Sequence, residues 1–332
     1  MKKRIKLVLP VLLIGALLVL IFSVLENNQS KAEGKFRIGI LQLVEHDALD
    51  EARLGFIDGL AEHGLVDRKN MILEYENAQG DQSNCYLLAS KLVNKNADLV
   101  LAIATPAAQA MANASRDVPI LVTAITSPEA AGLVKSNEKP ETNVTGTSDL
   151  APVKKQIGLI KQLVPAAERV GILFCSNEAN SAYQAKLAAE ELSNIGLTSQ
   201  TFTVSQASEV PQVVQSMIGT VDVIYTPTDN MMASSMPAIS STATPAGVPI
   251  ICGETNVVHK GAVGTYGMDY YKLGKLAAHQ AFEILINRKR PQNIPVEYLE
   301  ENQLTLNTDI IEKLNLTVLD ELRKTAEFTR TK

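Results

Sequence analysis

One spacing recurs in this chain and limits what it can fold into. The apolar segment Ile38-Gly39-Ile40-Leu41 leads through a loop, Gln42 to Asp47, into a helical pattern that runs to Glu62 and stops at His63-Gly64. Val170-Gly171-Ile172-Leu173-Phe174 leads through Cys175 to Asn180 into a second helical pattern that stops at Asn194-Ile195-Gly196. Gly39 to Gly64 and Gly171 to Gly196 both span 25 residues, and each closing glycine is followed by leucine. Glycine suits that place because a helix often ends on a left-handed residue. The echo goes on in the same order. Met71 to Glu76 and Ser199 to Val204 read as second strands, followed by helices over Ser83 to Asn94 and Glu209 to Ile218. Asp98-Leu-Val-Leu and Asp222-Val-Ile-Tyr each precede a Thr-Pro pair, at Thr105-Pro106 and Thr226-Pro227, and Val118-Pro-Ile-Leu matches Val248-Pro-Ile-Ile. Several strand-helix units repeated in order predict two similar α/β lobes, each with a doubly wound parallel sheet.

The strands support this. Leu99 to Ala104 shows no polar alternation, the pattern of a parallel strand buried on both faces. Thr105-Pro106 then marks a helix start at the carboxyl end of a strand. Ligands bind at that edge of open α/β sheets, and free N–H groups with the helix dipole favour an anion there. The strand Val118 to Ala124 brings Thr126 and Ser127 to the same edge. Helix capping is the other use of such hydroxyls.

Three segments read as crossings between the lobes, near Gly146, Gly264 and Ile294, with helices over Pro152 to Leu163 and Tyr270 to Asn287. Residues 36–147 with 267–292 form the first expected lobe, and 148–266 with 293–332 the second. The tail is expected to give one strand within Ile294 to Leu306 and a helix over Asp309 to Lys313. A three-crossover hinge closes without shearing the cores.

Lys2, Lys3, Arg4 and Lys6 precede an uncharged apolar run of 19 residues, Leu7 to Leu25, and a polar spacer follows within 1–35. That order places the remainder outside the cytoplasm, at the cell surface or in a periplasm. The run is long enough to cross a bilayer and reads as an uncleaved anchor, with a signal cut after Ala32 as the alternative. No cysteine near its end offers lipid attachment. Cys85, Cys175 and Cys252 are widely spaced, so neither a zinc site nor a disulfide framework is expected. A net charge of −5 with no basic cluster beyond the N-terminus argues against nucleic acid, and the absence of tryptophan weakens readings that need stacking platforms.

The segments Ile38-Gly-Ile-Leu-Gln-Leu-Val-Glu-His46, Asp50-x-x-Arg-x-Gly55-Phe-x-x-Gly59-Leu, Ala104-Thr-Pro-Ala-Ala-Gln109, Thr145-Gly-Thr-Ser-Asp149 and Tyr225-Thr-Pro-Thr-Asp-Asn230 together resemble one family. From Phe36 to about Asn315 the chain is similar to ABC transporter substrate-binding proteins of the type I periplasmic-binding fold, in the tryptophan/tyrosine-type branch. The resemblance implies an amino-acid-like ligand, an aromatic one favoured, clamped between the lobes. It also implies permease and ATPase partners, and no catalysis, cofactor or metal.

With such a ligand, Thr105, the N–H of Ala107, Thr126 and Ser127 would receive a carboxylate. Asp149, Asp229 and Glu254, at strand ends without neighbouring lysines, would receive an ammonium, although acids beside helix starts also serve as caps. Thr228 and Asn230 flank Asp229, and the loops after the duplicated first strands add Glu45, His46, Asn177 and Glu178. Tyr225, Tyr266 and Tyr270 would wall the side-chain pocket. Asp229→Ala and Thr105→Val are expected to weaken binding and leave folding intact.

Other classes fit less well. No Gly-x-Gly-x-x-Gly, Gly-x-x-x-x-Gly-Lys-Ser/Thr or Gly-x-Ser-x-Gly occurs, so nucleotide and nucleophile-elbow enzymes are unsupported. A repressor effector domain would need a DNA-reading domain that the first 35 residues do not supply. A membrane-tethered sensing ectodomain, signalling through a separate receptor, is the alternative function.

Overall fold

A computed structural model describes residues 34–332; the expected N-terminal span and most of its spacer lie outside the described residues. Among the described residues no helix is long and apolar enough to cross a membrane.

The first lobe is built from β1 (Phe36–Gln42), α1 (Asp47–Glu62), β2 (Met71–Asn77), α2 (Gln82–Asn94), β3 (Leu99–Ile103), α3 (Thr105–Ala114), β4 (Ile120–Ile125) and β5 (Val144–Ser148). The second uses α4 (Val153–Leu163), β6 (Arg169–Cys175), α5 (Ala179–Asn194), β7 (Thr198–Val204), α6 (Val210–Met217), β8 (Val223–Thr226), α7 (Asn230–Ala243), β9 (Ile250–Cys252) and β10 (Gly264–Gly267). The chain returns to the first lobe for α8 (Tyr270–Leu285) and β11 (Glu297–Tyr298). It ends in the second with β12 (Gln303–Asn307), α9 (Thr308–Lys313), α10 (Asp320–Thr325) and β13 (Glu327–Thr329).

Sheet order is β11-β5-β4-β3-β1-β2 in one lobe and β13-β12-β10-β9-β8-β6-β7 in the other. The first sheet is parallel throughout; in the second, β12 runs antiparallel to β10. The expected two-lobed α/β architecture is therefore present. Its duplicated units close alike: Leu65 N–H donates to Leu60 O and Leu197 N–H to Leu192 O, both at 2.9 Å, around left-handed Gly64 and Gly196. These are the hydrogen bonds of a Schellman stop.

Three differences separate the structure from the sequence expectations. The last crossing comes between Tyr298 and Gln303 rather than near Ile294, because β11 pairs with β5 in the first sheet before β12 joins the second. The expected single tail strand is thus two, and α10 and β13 extend the second lobe beyond them. Finally, Thr226-Pro227 does not start a helix. Thr226 ends β8, and α7 begins at Asn230 with Asp229 as its N-cap, accepting from Met232 N–H at 2.8 Å. A short acid is a stronger cap than threonine, and the start moves to it.

α8 is sequence-distant from the first lobe but lies along α1, burying Leu273, Ala277 and Ala281 in that lobe's core. Close approach depends on glycine: a Cβ on Gly55 would stand 1.9 Å from Tyr271 O, and one on Gly274 2.0 Å from Ala52 O. The motif around Gly55 therefore serves packing. It also fixes the α1 N-terminus, with His46 and Leu49, beside Tyr270 at the edge facing the second lobe.

Candidate functional site

Strand ends of both lobes meet across a closed cleft. Polar contacts bridge it at several points. Gln184 Nε2 on α5 donates to Thr126 Oγ1 at 2.7 Å, and His46 Nε2 lies 3.2 Å from Asn230 Oδ1. Gln82 Nε2 donates to the carbonyl of Asn177 at 2.6 Å, and Asp47 takes both His259 (3.0 Å) and Lys260 (3.1 Å).

Between the first two bridges lies a narrow cavity of about 10 Å³. The first lobe and hinge contribute Thr126, Asp149, Ala124 and Tyr270; the second contributes Asn180, Thr228, Asn230 and Glu254. Strain helps shape this wall. Ala124 has φ +54°, and the β4–β5 register shifts between Val122 and Ile125, which turns the end of β4 towards the cleft.

Three buried acceptors around this cavity have no hydrogen-bond partner: Asp149 Oδ1, Asn180 Oδ1 and Glu254 Oε2. Buried acceptors are normally satisfied, so three beside one small cavity call for a donor. Among the described residues no ion pair reaches Asp149, Glu178, Asp229 or Glu254, all nearly inaccessible. Burial pushes the Asp149 carboxyl up to about 6 against the hydroxyls of Tyr270 and Thr126. Burial and the neighbouring acids raise Glu254 well above the carboxylate range, and burial with the Asp229 charge raises Glu178 to about 8. A cation placed here would relieve both the charge and the missing hydrogen bonds.

A second cavity, about 70 Å³, adjoins the first at Asn180. Its other lining residues are Thr105, Ser127, Ala130, Ala131, Ala179 and Tyr183, none of them charged. The N-termini of α3 and α5 face it from opposite lobes. Ala104, just before α3, is held at φ +79°, ψ 153°, a region ordinarily left to glycine. The pair of cavities is thus polarised, acids at one end and helix N-termini with hydroxyls at the other.

The sequence candidates divide accordingly. Thr126, Asp149, Thr228, Asn230 and Glu254 line the acidic cavity, and Thr105 and Ser127 line its neighbour. Thr105 is no cap, since Ala104 holds that position without a side-chain bond, whereas Ser127 Oγ accepts from Ala130 N–H at 3.1 Å. Ala107 is fully buried in the first turn of α3. Asp229 lines neither cavity: Cys175 N–H (2.6 Å) and Met232 N–H (2.8 Å) occupy its two oxygens.

The remaining candidates are peripheral. Asn177 is exposed on a larger outer opening between the lobes, which also takes in Gln82 and Glu178. Glu45 accepts weakly from Tyr75 at 3.4 Å on the rim, and the Tyr266 ring sits under Lys155, away from both cavities. Tyr225 is entirely buried and donates to Gln156 within the second lobe. Sequence reasoning passed over Leu49, Asn180, Tyr183 and Gln184. Asn180 and Gln184 had a signal, polar residues on the buried face at the start of a helix, but nothing showed that they faced the other lobe.

Residues 37–330 match the family model described as ABC transporter substrate binding protein. A tyrosine-binding protein of Clostridioides difficile is 40% identical over 291 residues, 88% of this chain and 84% of its own length. Among solved structures, an ABC domain from Streptococcus pneumoniae in complex with L-Trp is 35% identical, with TM-score 0.86 over 89% of this chain and 99% of that one. A ligand-free, open substrate-binding protein from Clostridium difficile is 39% identical, covering 90% and 100%, but superposes at only 0.69. The lower score at higher identity indicates that the lobes of this structure stand in the arrangement of the complex.

Proposed function

The chain belongs to the ABC transporter substrate-binding proteins, and from that premise we propose that it captures a zwitterionic aromatic amino acid, tyrosine or tryptophan, and presents it to the permease of an ABC importer outside the cytoplasm. The observation that carries the reading is the set of three partnerless acceptors, Asp149 Oδ1, Asn180 Oδ1 and Glu254 Oε2, around one enclosed interlobe cavity. An α-ammonium has three N–H donors and one positive charge, which is what those atoms lack. The carboxylate then points to Thr105, Ser127 and the two helix N-termini, and the ring lies against Ala130, Ala131, Ala179 and Tyr183. The named ligands of the tyrosine-binding relative and of the L-Trp complex support the aromatic side chain.

No bond is made or broken in this role; the family binds and releases. Isothermal titration against the twenty amino acids, with N-acetyl-L-tyrosine and tyramine beside them, tests the reading. L-Tyrosine or L-tryptophan gives saturable heat, and blocking the ammonium or removing the carboxylate weakens binding by a hundredfold or more, on the order of two charged hydrogen bonds. Heat from none of the amino acids, or N-acetyl-L-tyrosine bound as tightly as tyrosine, overturns it.

A further inference from the structure

His46 stands just before α1, on the opposite side of the cleft from the second-lobe residues it meets. It is 7% exposed and lines the acidic cavity. Its Nε2 lies 3.2 Å from Asn230 Oδ1. The direction of that bond follows from the next one. Asn230 turns its Nδ2 to Glu178 Oε2, and Glu178 also accepts the N–H groups of Asn230 and Met231 at 3.2 and 3.1 Å. Asn230 therefore presents its carbonyl oxygen to the histidine, and Nε2 must carry a proton and donate. One interlobe bond thereby sets the rotamer of a cavity wall and ties the first lobe to the start of α7.

We propose that His46 is a positioning residue for ligand capture, holding Asn230 from across the cleft as a neutral donor, so that the lobes close over the ligand only on its uncharged ring. This rests on the reading that the cleft takes an amino acid. Two physical terms oppose a charged ring in the closed state. The first is desolvation, which brings the group down from its ordinary value to about 4. The second is the ligand's own ammonium, a cation in the cavity that His46 helps to line.

The surrounding charges do not reverse this. The hydrogen bond to Asn230 favours the imidazolium most, Asp50 and Asp47 on α1 add to it, and Lys260 from the second lobe disfavours it; burial outweighs them and the balance is downward. Asp47 is itself engaged by His259 and Lys260. Asp149 and Glu254 face the same cavity but serve the ammonium, Tyr270 donates to Asp149, and Glu178 is screened from the ring by Asn230. A ring returned to water on opening would titrate near the ordinary value of about 6.5. Closure consequently sheds a proton below that pH, and affinity falls as pH falls.

The test compares the dissociation constants of the full chain for L-tyrosine and L-tryptophan at about pH 8 and about pH 5.5, in the wild type and in His46→Gln. The glutamine amide keeps a donor for Asn230 Oδ1 but does not titrate. A ring that moves from near 6.5 to about 4 on closure weakens wild-type binding about tenfold over this interval, and the variant loses most of that dependence. Equal pH ratios in the two proteins overturn the inference, because the slope then belongs to the carboxyls. The wild-type His46 ring resonance, followed by NMR through a pH titration, gives a second measure if the variant folds poorly. Its midpoint drops on saturation with ligand, and an unmoved midpoint also overturns the inference. Heat from neither amino acid at either pH removes the ligand reading and this inference together.

Discussion

Glu254→Gln separates a ligand group from a structural one because its two effects have opposite signs. Glu254 is 3% exposed, Oε2 has no partner, and no lysine or arginine among the described residues pairs with it. In the unliganded closed cleft it is a liability, an acid that must hold a proton or remain an unpaired buried charge. Glutamine has the same shape and removes that liability, so the unliganded variant should melt no lower than the wild type. With ligand, the variant loses a charge-assisted hydrogen bond to the ammonium, worth about 1.5 to 3 kcal/mol, or roughly 10- to 150-fold in affinity. Asp149 still faces the same cavity, which puts the expected loss in the lower half of that range. Thermal unfolding without ligand reads the first effect, and calorimetric titration with L-tyrosine and L-tryptophan reads the second. A dissociation constant within about threefold of wild type, or a melting temperature lower by more than about 4 °C, would refute the assignment.

Three further outcomes follow from the geometry. Asp229→Ala should cost about 1 to 2 kcal/mol of folding stability in denaturant titrations, since it removes the α7 cap and the acceptor for Cys175 N–H, and an unchanged midpoint would contradict that role. Gly55→Ala should destabilise by about 1 to 3 kcal/mol, because a methyl 1.9 Å from Tyr271 O forces α1 and α8 apart; a neutral effect would mean their spacing is slack. Without ligand, the melting temperature should fall as pH rises from about 4 towards 8. Asp149 at about 6 and Glu178 at about 8 bind protons in the folded state that an unfolded chain releases near pH 4, so their contribution is present at low pH and lost through those values. A melting temperature that rises with pH over this interval would refute the reading of these two acids as proton-holding in the folded state.

The duplicated fold was legible in the sequence because its signals are local. A glycine held left-handed after a helix and a leucine whose N–H reaches back to that helix need no partner from elsewhere in the chain, and both occur at 64–65 and again at 196–197. The apolar run at Leu99–Ile103 likewise declares a strand covered on both faces. The tail was not legible for a matching reason. Glu297–Tyr298 and Gln303–Asn307 have the same strand character, and only their pairing with β5 or β10 assigns them to different sheets. Nor did the second Thr-Pro pair behave like the first, since the acid two residues beyond Pro227 offered a better cap.

At the site, residue type alone cannot distinguish a cap from a ligand group, because both uses rest on the same acceptor atoms. Asp229 and Glu254 looked equivalent in sequence, each an acid just after a second-lobe strand. The structure separates them by where their oxygens go. Asp229 gives one to its own helix and one to Cys175 N–H, so Asp229→Ala falls on folding instead of leaving it intact as the sequence suggested. Glu254 keeps Oε2 free at a buried cavity. Thr105 and Ser127 divide the same way: Ser127 caps a turn, while Thr105 is relieved of capping by the strained Ala104 before it. What turns these leftovers into a site is the second lobe. Asn180 and Gln184 look like ordinary positions near the start of α5, yet Gln184 donates across the cleft to Thr126 and Asn180 borders both cavities. A ligand read by groups from both lobes is bound fully only when the lobes are together, so its contact energy favours closure directly. Cutting the Gln184–Thr126 bond should therefore raise the ligand's off-rate more than it lowers its on-rate, and a Gln184→Ala variant that slows association alone would break that link.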